Sequence, residues 1–158
     1  MENGAVTSNG EETEDRYNER FLKFIKLLVL IDNNEQLFPK PCRTCGTSFR
    51  SLSEYLCATI PKNHSWQDCE EVMGKPFTML YRHCTCGNTL VLTLTDATFP
   101  VLRDLWSMLR DEARESGRPL DEVVGEFSQQ CDDYMFNHVY SCESGPPCDP
   151  SHHVGKCE

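Results

Sequence analysis

Two pairs of closely spaced cysteines are the residues of this chain best suited to chemistry. Cys42 and Cys45 form a Cys-x-x-Cys motif, and Cys84 and Cys86 form a Cys-x-Cys motif farther along the chain. A glycine follows each second cysteine, and glycine tolerates the backbone angles of a turn whose N–H groups point at sulfur. Four thiolates also match the tetrahedral preference of Zn²⁺. The spacing predicts one structural zinc ion held by all four cysteines, with no open position for catalysis.

Two features leave alternatives open at this site. The second motif has one residue between its cysteines, so His83 could replace Cys84 and restore a spacing of two residues before Cys86. Four cysteines can also hold iron or an iron–sulfur cluster, which would colour the protein. A chain without metal at this place is the third alternative.

The order of elements around the cysteines resembles the zinc-ribbon superfamily. Residues 41–95 read as a knuckle, an insert, a strand, a second knuckle and a second strand, and they cover about a third of the chain. The residues that carry the resemblance are Cys42, Cys45, Gly46, Cys84, Cys86 and Gly87. Zinc ribbons serve in transcription, in ribosomes and as staples of enzyme subunits. The resemblance therefore implies a metal and a local fold, and it does not imply an activity.

The remaining cysteines before the C-terminal segment fit packing better than chemistry. Cys57 and Cys69 lie in the insert with His64 between them, and we expect Cys57 to be a small core residue and His64 and Cys69 to be solvated. A redox pair of Cys57 and Cys69, or extra metal ligands from these residues, is the alternative. Cys131 and His138 fall on one face of a predicted helix, where packing is expected and a metal site shared with the C-terminal segment is the alternative.

Cysteine and histidine are concentrated in the C-terminal segment, residues 141–158. They are Cys142, Cys148, His152, His153 and Cys157. A second zinc site from Cys142, Cys148, His152 and Cys157 is one interpretation, although the spacing matches no known ligand motif. The other interpretation is a flexible tail with incidental thiols.

The hydrophobic pattern predicts an α+β fold with a small zinc-ribbon-like antiparallel sheet packed with three helices, one N-terminal and two C-terminal. The sequence predicts strands at Phe77–Tyr81 and Thr89–Thr95, and a short helix at 51–58. The predicted domain organisation is a disordered tail at 1–14, one domain at 15–140 and a Cys/His-rich tail at 141–158. Within the domain we expect a helix at 15–35, the ribbon-like region at 38–96 and helices at 98–116 and 119–140. Thr98 is the expected cap of the helix at 98–116, and Gly117 is its expected end.

Composition limits the class of partner and the compartment. The chain has a formal net charge of −10, and its acidic residues are concentrated on both flanks of a nearly neutral centre. No dense basic stripe is present, so binding to nucleic acid or to an anionic membrane is disfavoured. The chain opens without the pattern of a signal peptide, which predicts a cytoplasmic protein. Thiols stay reduced in that compartment, so ten cysteines favour metal binding over disulfides.

The sequence therefore predicts a non-catalytic zinc-binding protein, a small adaptor or regulator with a structural four-cysteine site. No phosphate-binding loop, dinucleotide fingerprint or nucleophile elbow is present. The alternative function is a thiol-based redox sensor or oxidoreductase that uses zinc-bound or Cys-x-x-Cys thiols. The apolar first helix needs cover from its own domain or from a partner, so it is the predicted surface for a protein partner or homo-oligomer.

Overall fold

A computed structural model describes residues 14–140 and confirms the α+β class. In chain order the elements are α1 (Glu19–Val29), β1 (Lys40–Pro41), β2 (Ser48–Phe49), α2 (Leu52–Cys57), β3 (Ile60–Asp68), α3 (Glu70–Met73), β4 (Phe77–His83), β5 (Thr89–Thr95), α4 (Leu102–Ser116) and α5 (Leu120–His138). Strands β1 and β2 form a two-stranded antiparallel sheet, and β3, β4 and β5 form a second sheet in that spatial order. Both cysteine motifs lie in hairpins, one in each sheet.

The three-stranded sheet has one buried face because apolar residues alternate along β4 and β5. The inward-facing residues of these two strands are Thr78, Leu80, Arg82, Leu90, Leu92 and Leu94, and all are buried. Two helices dock on this face through hydrogen bonds. Trp106 of α4 donates from its indole N–H to Thr78 Oγ1 at 2.8 Å, and Tyr55 of α2 donates from its hydroxyl to the Leu80 carbonyl at 3.1 Å.

The apolar face of helix α1 is covered by other elements of the same domain. Asn18 caps the helix by accepting hydrogen bonds from the N–H groups of Arg20 and Phe21. Its apolar face is buried, and the Phe21 ring meets the Phe127 ring of α5 edge to face with centroids 5.5 Å apart. Only Leu30, just beyond the helix, is strongly exposed among its apolar residues, at 77%. Within residues 14–140, no helix has the length and apolar character needed to cross a bilayer.

Arg82 is a charged residue inside the core, and it joins three elements. Its Nε donates to Thr59 Oγ1 at 2.9 Å, and its Nη2 donates to the Leu56 carbonyl at 2.6 Å. Its Nη1 lies 3.1 Å from Asp132 Oδ2 of α5. The side chain is fully buried, so these bonds replace the water that the guanidinium loses on folding. Arg82 therefore ties β4 to the end of α2 and to α5.

The structure differs from the sequence-based boundaries at the helices predicted at 15–35 and 98–116. Helix α1 ends at Val29, and turns occupy residues that were expected to continue the helix to 35. Helix α4 begins at Leu102, so the prediction of Thr98 as its cap is wrong. The hydroxyl of Thr98 instead donates to the Thr95 carbonyl and accepts from the Thr95 N–H, closing a turn after β5. The end of α4 at Gly117 is as expected, with φ at 73°.

Strand β3 is the longest element that the sequence pattern did not predict. Its first half contains Pro61, Lys62, Asn63 and His64, which lack the alternation of a half-buried strand. The structure places a register shift between Pro61 and Trp66, so this part of β3 leaves the ladder with β4. Ile60 and Pro61 pair with the end of β4, residues 62–65 leave the ladder, and regular pairing resumes at buried Trp66.

Candidate metal centre

The first knuckle, the turn that contains Cys42 and Cys45, is a tight hairpin between β1 and β2. The Cys42 N–H donates to the Thr47 carbonyl at 2.7 Å, and the Gly46 N–H donates to the Cys42 carbonyl at 2.8 Å. Gly46 has a φ of 84°, a left-handed conformation that residues with a Cβ rarely adopt. This turn brings the two sulfur atoms of the first motif to the same side of the hairpin, facing the second motif.

The second knuckle is the turn between β4 and β5. The Cys84 N–H donates to the Asn88 carbonyl at 2.8 Å, which continues the β4–β5 ladder into the turn. The Gly87 N–H donates to the Cys84 carbonyl at 2.8 Å, and Gly87 has a φ of 99°. A single residue between Cys84 and Cys86 is enough for both thiols to reach the site, because the hairpin curls at this point.

The four sulfur atoms converge on one small volume. The Sγ atoms of Cys42 and Cys86 are 3.6 Å apart, and so are those of Cys45 and Cys84. All four sulfurs lie within 4.8 Å of one another. A tetrahedral ion with metal–sulfur bonds of about 2.3 Å requires sulfur atoms about 3.8 Å apart. The spacing fits one metal ion, and it is far too long for a disulfide, whose sulfur atoms are about 2.05 Å apart.

The site lies where the core meets the surface. Cys42 and Cys84, the first cysteine of each motif, are buried, whereas Cys45 and Cys86 are exposed. One thiol of each knuckle is therefore fixed by packing, and the other closes the site from the solvent side. An ion held here would join the β1–β2 hairpin to the larger sheet.

Hydrogen bonds lower the pKa of the Cys42 thiol, which favours binding of a cation. The Cys45 N–H donates to Cys42 Sγ, the Asn88 amide and the Thr44 N–H add to it, and together they lower the pKa of Cys42 to about 6 against the opposing effect of burial. The Asn88 Nδ2 lies 3.6 Å from this sulfur. A hydrogen bond with Thr47, whose Oγ1 is 3.2 Å from Cys45 Sγ, also lowers the pKa of Cys45.

The pKa of the Cys84 thiol is shifted in the opposite direction from that of Cys42. Burial is the main cause that raises its pKa to about 12. A thiol with so high a pKa ionises at neutral pH only when a metal cation stabilises the thiolate. The site therefore combines a thiolate that is already formed at Cys42 with a thiol at Cys84 that must lose its proton on metal binding.

The structure also locates the residues that the sequence offered as alternative metal ligands or redox thiols. His83 is not one of the four grouped residues, and its Nδ1 lies 3.3 Å from Thr89 Oγ1. Cys57 and Cys131 are buried, and Cys69 is half-buried. Over residues 14–140, the four cysteines are the only group of His, Cys, Asp or Glu that could hold a metal.

The residues of the predicted second site lie outside the described part of the chain. They are Cys142, Cys148, His152, His153 and Cys157. His138, which was placed on the apolar face of α5, is exposed and packs beside Tyr134 with ring centroids 4.4 Å apart. The described residues therefore give no support to a second metal.

Sequence reasoning did not find the residues that support the cysteines. Asn88 and Thr47 both bond to a sulfur, and each follows the glycine of its knuckle directly. Their shared position directly after the glycine is the sequence feature from which their contact with sulfur could have been predicted. The arrangement can bind one thiophilic metal ion, and it joins two hairpins in doing so. No protein-family model, no curated protein and no solved structure matches the chain.

Proposed function

We propose that this protein is a non-catalytic zinc-binding protein, an adaptor or regulator whose Zn²⁺ is structural. The single observation that carries the proposal is the convergence of four cysteine sulfurs within 4.8 Å. Zinc is the proposed ion because thiolate sets with tetrahedral spacing select zinc or iron–sulfur chemistry. The resemblance of residues 41–95 to zinc ribbons supports the same choice of ion.

The number of donors supports a structural role for the ion. Four protein sulfurs complete a tetrahedral shell, whereas catalytic zinc keeps one position for water or substrate. The residues that bond to the sulfurs support the same role, because Asn88 and Thr47 hold sulfurs and neither is a general base. The proposal therefore assigns no enzymatic activity to the site.

The experiment is elemental analysis of the purified full-length chain without an affinity tag. We expect one zinc per chain, a colourless protein, and loss of zinc in Cys42→Ser and Cys84→Ser. Cys69→Ser is the matched control, since its half-buried thiol lies outside the cluster, and it should keep the ion. Iron in the wild-type protein, or zinc that survives in both cluster variants, would refute the proposal.

A protein partner is part of the proposed role. A chain with a net charge of −10 is better suited to a protein surface than to a nucleic acid or an anionic membrane. The apolar face of α1 is used inside the domain, so a partner at this helix would contact its end around exposed Leu30. Free thiols in this number suit a reducing compartment such as the cytoplasm.

Exposure of two ligands favours redox sensing as the second candidate function. Cys45 and Cys86 are exposed, so a small oxidant can reach them. A thiolate would attack hydrogen peroxide to give a sulfenic acid and hydroxide, and a second thiolate would displace hydroxide to form a disulfide. Loss of two thiolates would release Zn²⁺. Peroxide titration tests this candidate: zinc release should match disulfide formation, and zinc that stays bound after these thiols are oxidised would contradict it.

A further inference from the structure

Among the described residues, strand β5 forms an unpaired edge of the three-stranded sheet. The bond from the Cys84 N–H to the Asn88 carbonyl fixes which residues of β5 bond to β4, because bonded and non-bonded pairs alternate along an antiparallel ladder. Leu90, Leu92 and Leu94 therefore direct their backbone groups to β4. The backbone N–H and C=O groups of Thr89, Val91 and Thr93 point the other way, to the outside of the sheet.

The two edges of this sheet are protected to different degrees. The edge at β3 has Pro61, Lys62 and an irregular ladder, and α5 packs close to this strand. These are the features by which proteins block unwanted strand pairing. Strand β5 has a regular ladder, no charge, no proline and no bulge, and among the described elements only β4 packs extensively against it. The β5 edge is therefore ready to accept another strand.

The sequence of β5 indicates which strand would fit. Residues 89–93 read Thr-Leu-Val-Leu-Thr, which is the same in both directions about Val91. Antiparallel pairing of two copies about a two-fold axis at Val91 places Val91 opposite Val91. It also places each Thr89 opposite Thr93 and each Leu90 opposite Leu92, and Thr–Thr and apolar pairs across strands are favourable. We propose that the chain forms a homodimer through β5, with one continuous six-stranded sheet.

The alternation along β5 between residues that bond to β4 and residues that point outward agrees with this axis. In the pairing about Val91, the residues that face each other with free backbone groups are Thr89, Val91 and Thr93 of each copy. An axis shifted to Leu92 would instead require Thr95, whose carbonyl already accepts from the N–H groups of Thr98 and Phe99. The free groups and the palindrome thus select the same register.

Charge and side-chain exposure also suit a second copy. Each chain carries a net charge of −10, so two copies repel unless they meet at a neutral surface. Strand β5 has no charged residue, and it provides such a surface. Val91, at 36% exposure on the outer face, would be covered by its own counterpart. This dimer does not depend on the proposed function, and it differs from association through α1.

The test is the molar mass of the full-length protein, as purified, by sedimentation equilibrium. We expect the mass of two chains for the wild type and of one chain for Val91→Lys and Val91→Pro, a twofold change. Lysine would place two cations together at the axis. Proline would remove an N–H that points away from β4, so the β4–β5 ladder should survive. Unchanged circular dichroism and an unchanged thermal unfolding transition would show that both variants fold.

Leu30→Lys is the matched control, because Leu30 is the exposed apolar residue at the end of α1. It should stay dimeric. Hydrogen exchange gives a local measurement: the amides of Thr89 and Thr93 should be protected in the wild type and lose protection in Val91→Lys, while those of Leu90 and Leu92 stay protected. The proposal is overturned by a single-chain mass at every concentration, by an assembly larger than two chains, or by a dimer that dissociates in Leu30→Lys but not in Val91→Lys.

Discussion

The side-chain amide of Asn88 lies 3.6 Å from Cys42 Sγ and donates a hydrogen bond from one hairpin to the cysteine of the other. This bond both stabilises a thiolate and holds the two knuckles in register. Groups that support a metal ligand in this way commonly contribute about 10- to 100-fold to metal affinity.

Removal of this bond should weaken metal binding without destroying the site. We predict that Asn88→Ala lowers zinc affinity by about tenfold, since the lost bond is one of several to Cys42 Sγ. Competition with a chromophoric chelator measures the change. Thr85→Ala is the control, because Thr85 is exposed in the same turn, and it should leave affinity unchanged. Equal affinities of Asn88→Ala and wild type would contradict the role given to Asn88.

Metal affinity should fall as the pH is lowered. Cys84, with a pKa of about 12 in the metal-free protein, keeps its proton at neutral pH and must release it on binding. Cys42, with a pKa of about 6, is mostly ionised at pH 7 and takes up a proton below pH 6. The pKa of Cys86 is also raised above its usual value, so this thiol must release a second proton on binding. Affinity should therefore fall at least about a hundredfold per pH unit above pH 6, and by one further factor of about ten per unit well below it.

Zinc titrations between pH 5 and 8, in a buffer that does not bind zinc, measure this dependence. Cys84→Ser removes the proton that Cys84 must release, so any residual binding should show a shallower slope. A flat profile across this range would mean that the thiols are already ionised, and it would contradict the effect of burial on Cys84.

The sequence predicted most of the site because ligand spacing is a local property. Each cysteine motif is a short turn that places its two thiols close together, and the four sulfurs do lie within 4.8 Å of one another. Thr89–Thr95 alternates so regularly that its bounds were predicted correctly. Strand β3 was not predicted because residues 62–65 leave the ladder, so the side chains along the strand do not alternate between core and solvent. The position of Thr98 was also beyond prediction, since a capping hydroxyl can equally well close the preceding turn, as it does here.

The ion pair between the buried Arg82 and the partly buried Asp132 is a long-range feature that no local sequence pattern revealed. We predict that Asp132→Ala destabilises the fold by about 3 kcal/mol, because the fully buried guanidinium loses its carboxylate partner. Chemical denaturation measures the loss. Gln129→Ala on the exposed side of the same helix should change stability by less than about 0.5 kcal/mol. A loss below about 1 kcal/mol in Asp132→Ala would show that the other bonds of Arg82 are sufficient.

Gly125 offers a test of helix energetics, because it occupies the middle of α5 without a packing reason. A Cβ at this position would meet no atom within 4 Å, and the backbone is not left-handed. We predict that Gly125→Ala stabilises the protein by about 0.5–1 kcal/mol, since alanine loses less backbone entropy in a helix. Thermal unfolding should show a midpoint higher by about 1–4 °C. Gly117→Ala, where φ is 73°, should instead lower stability by about 1 kcal/mol despite equally open space. If both substitutions change stability in the same direction, backbone conformation does not determine the cost at these two glycines.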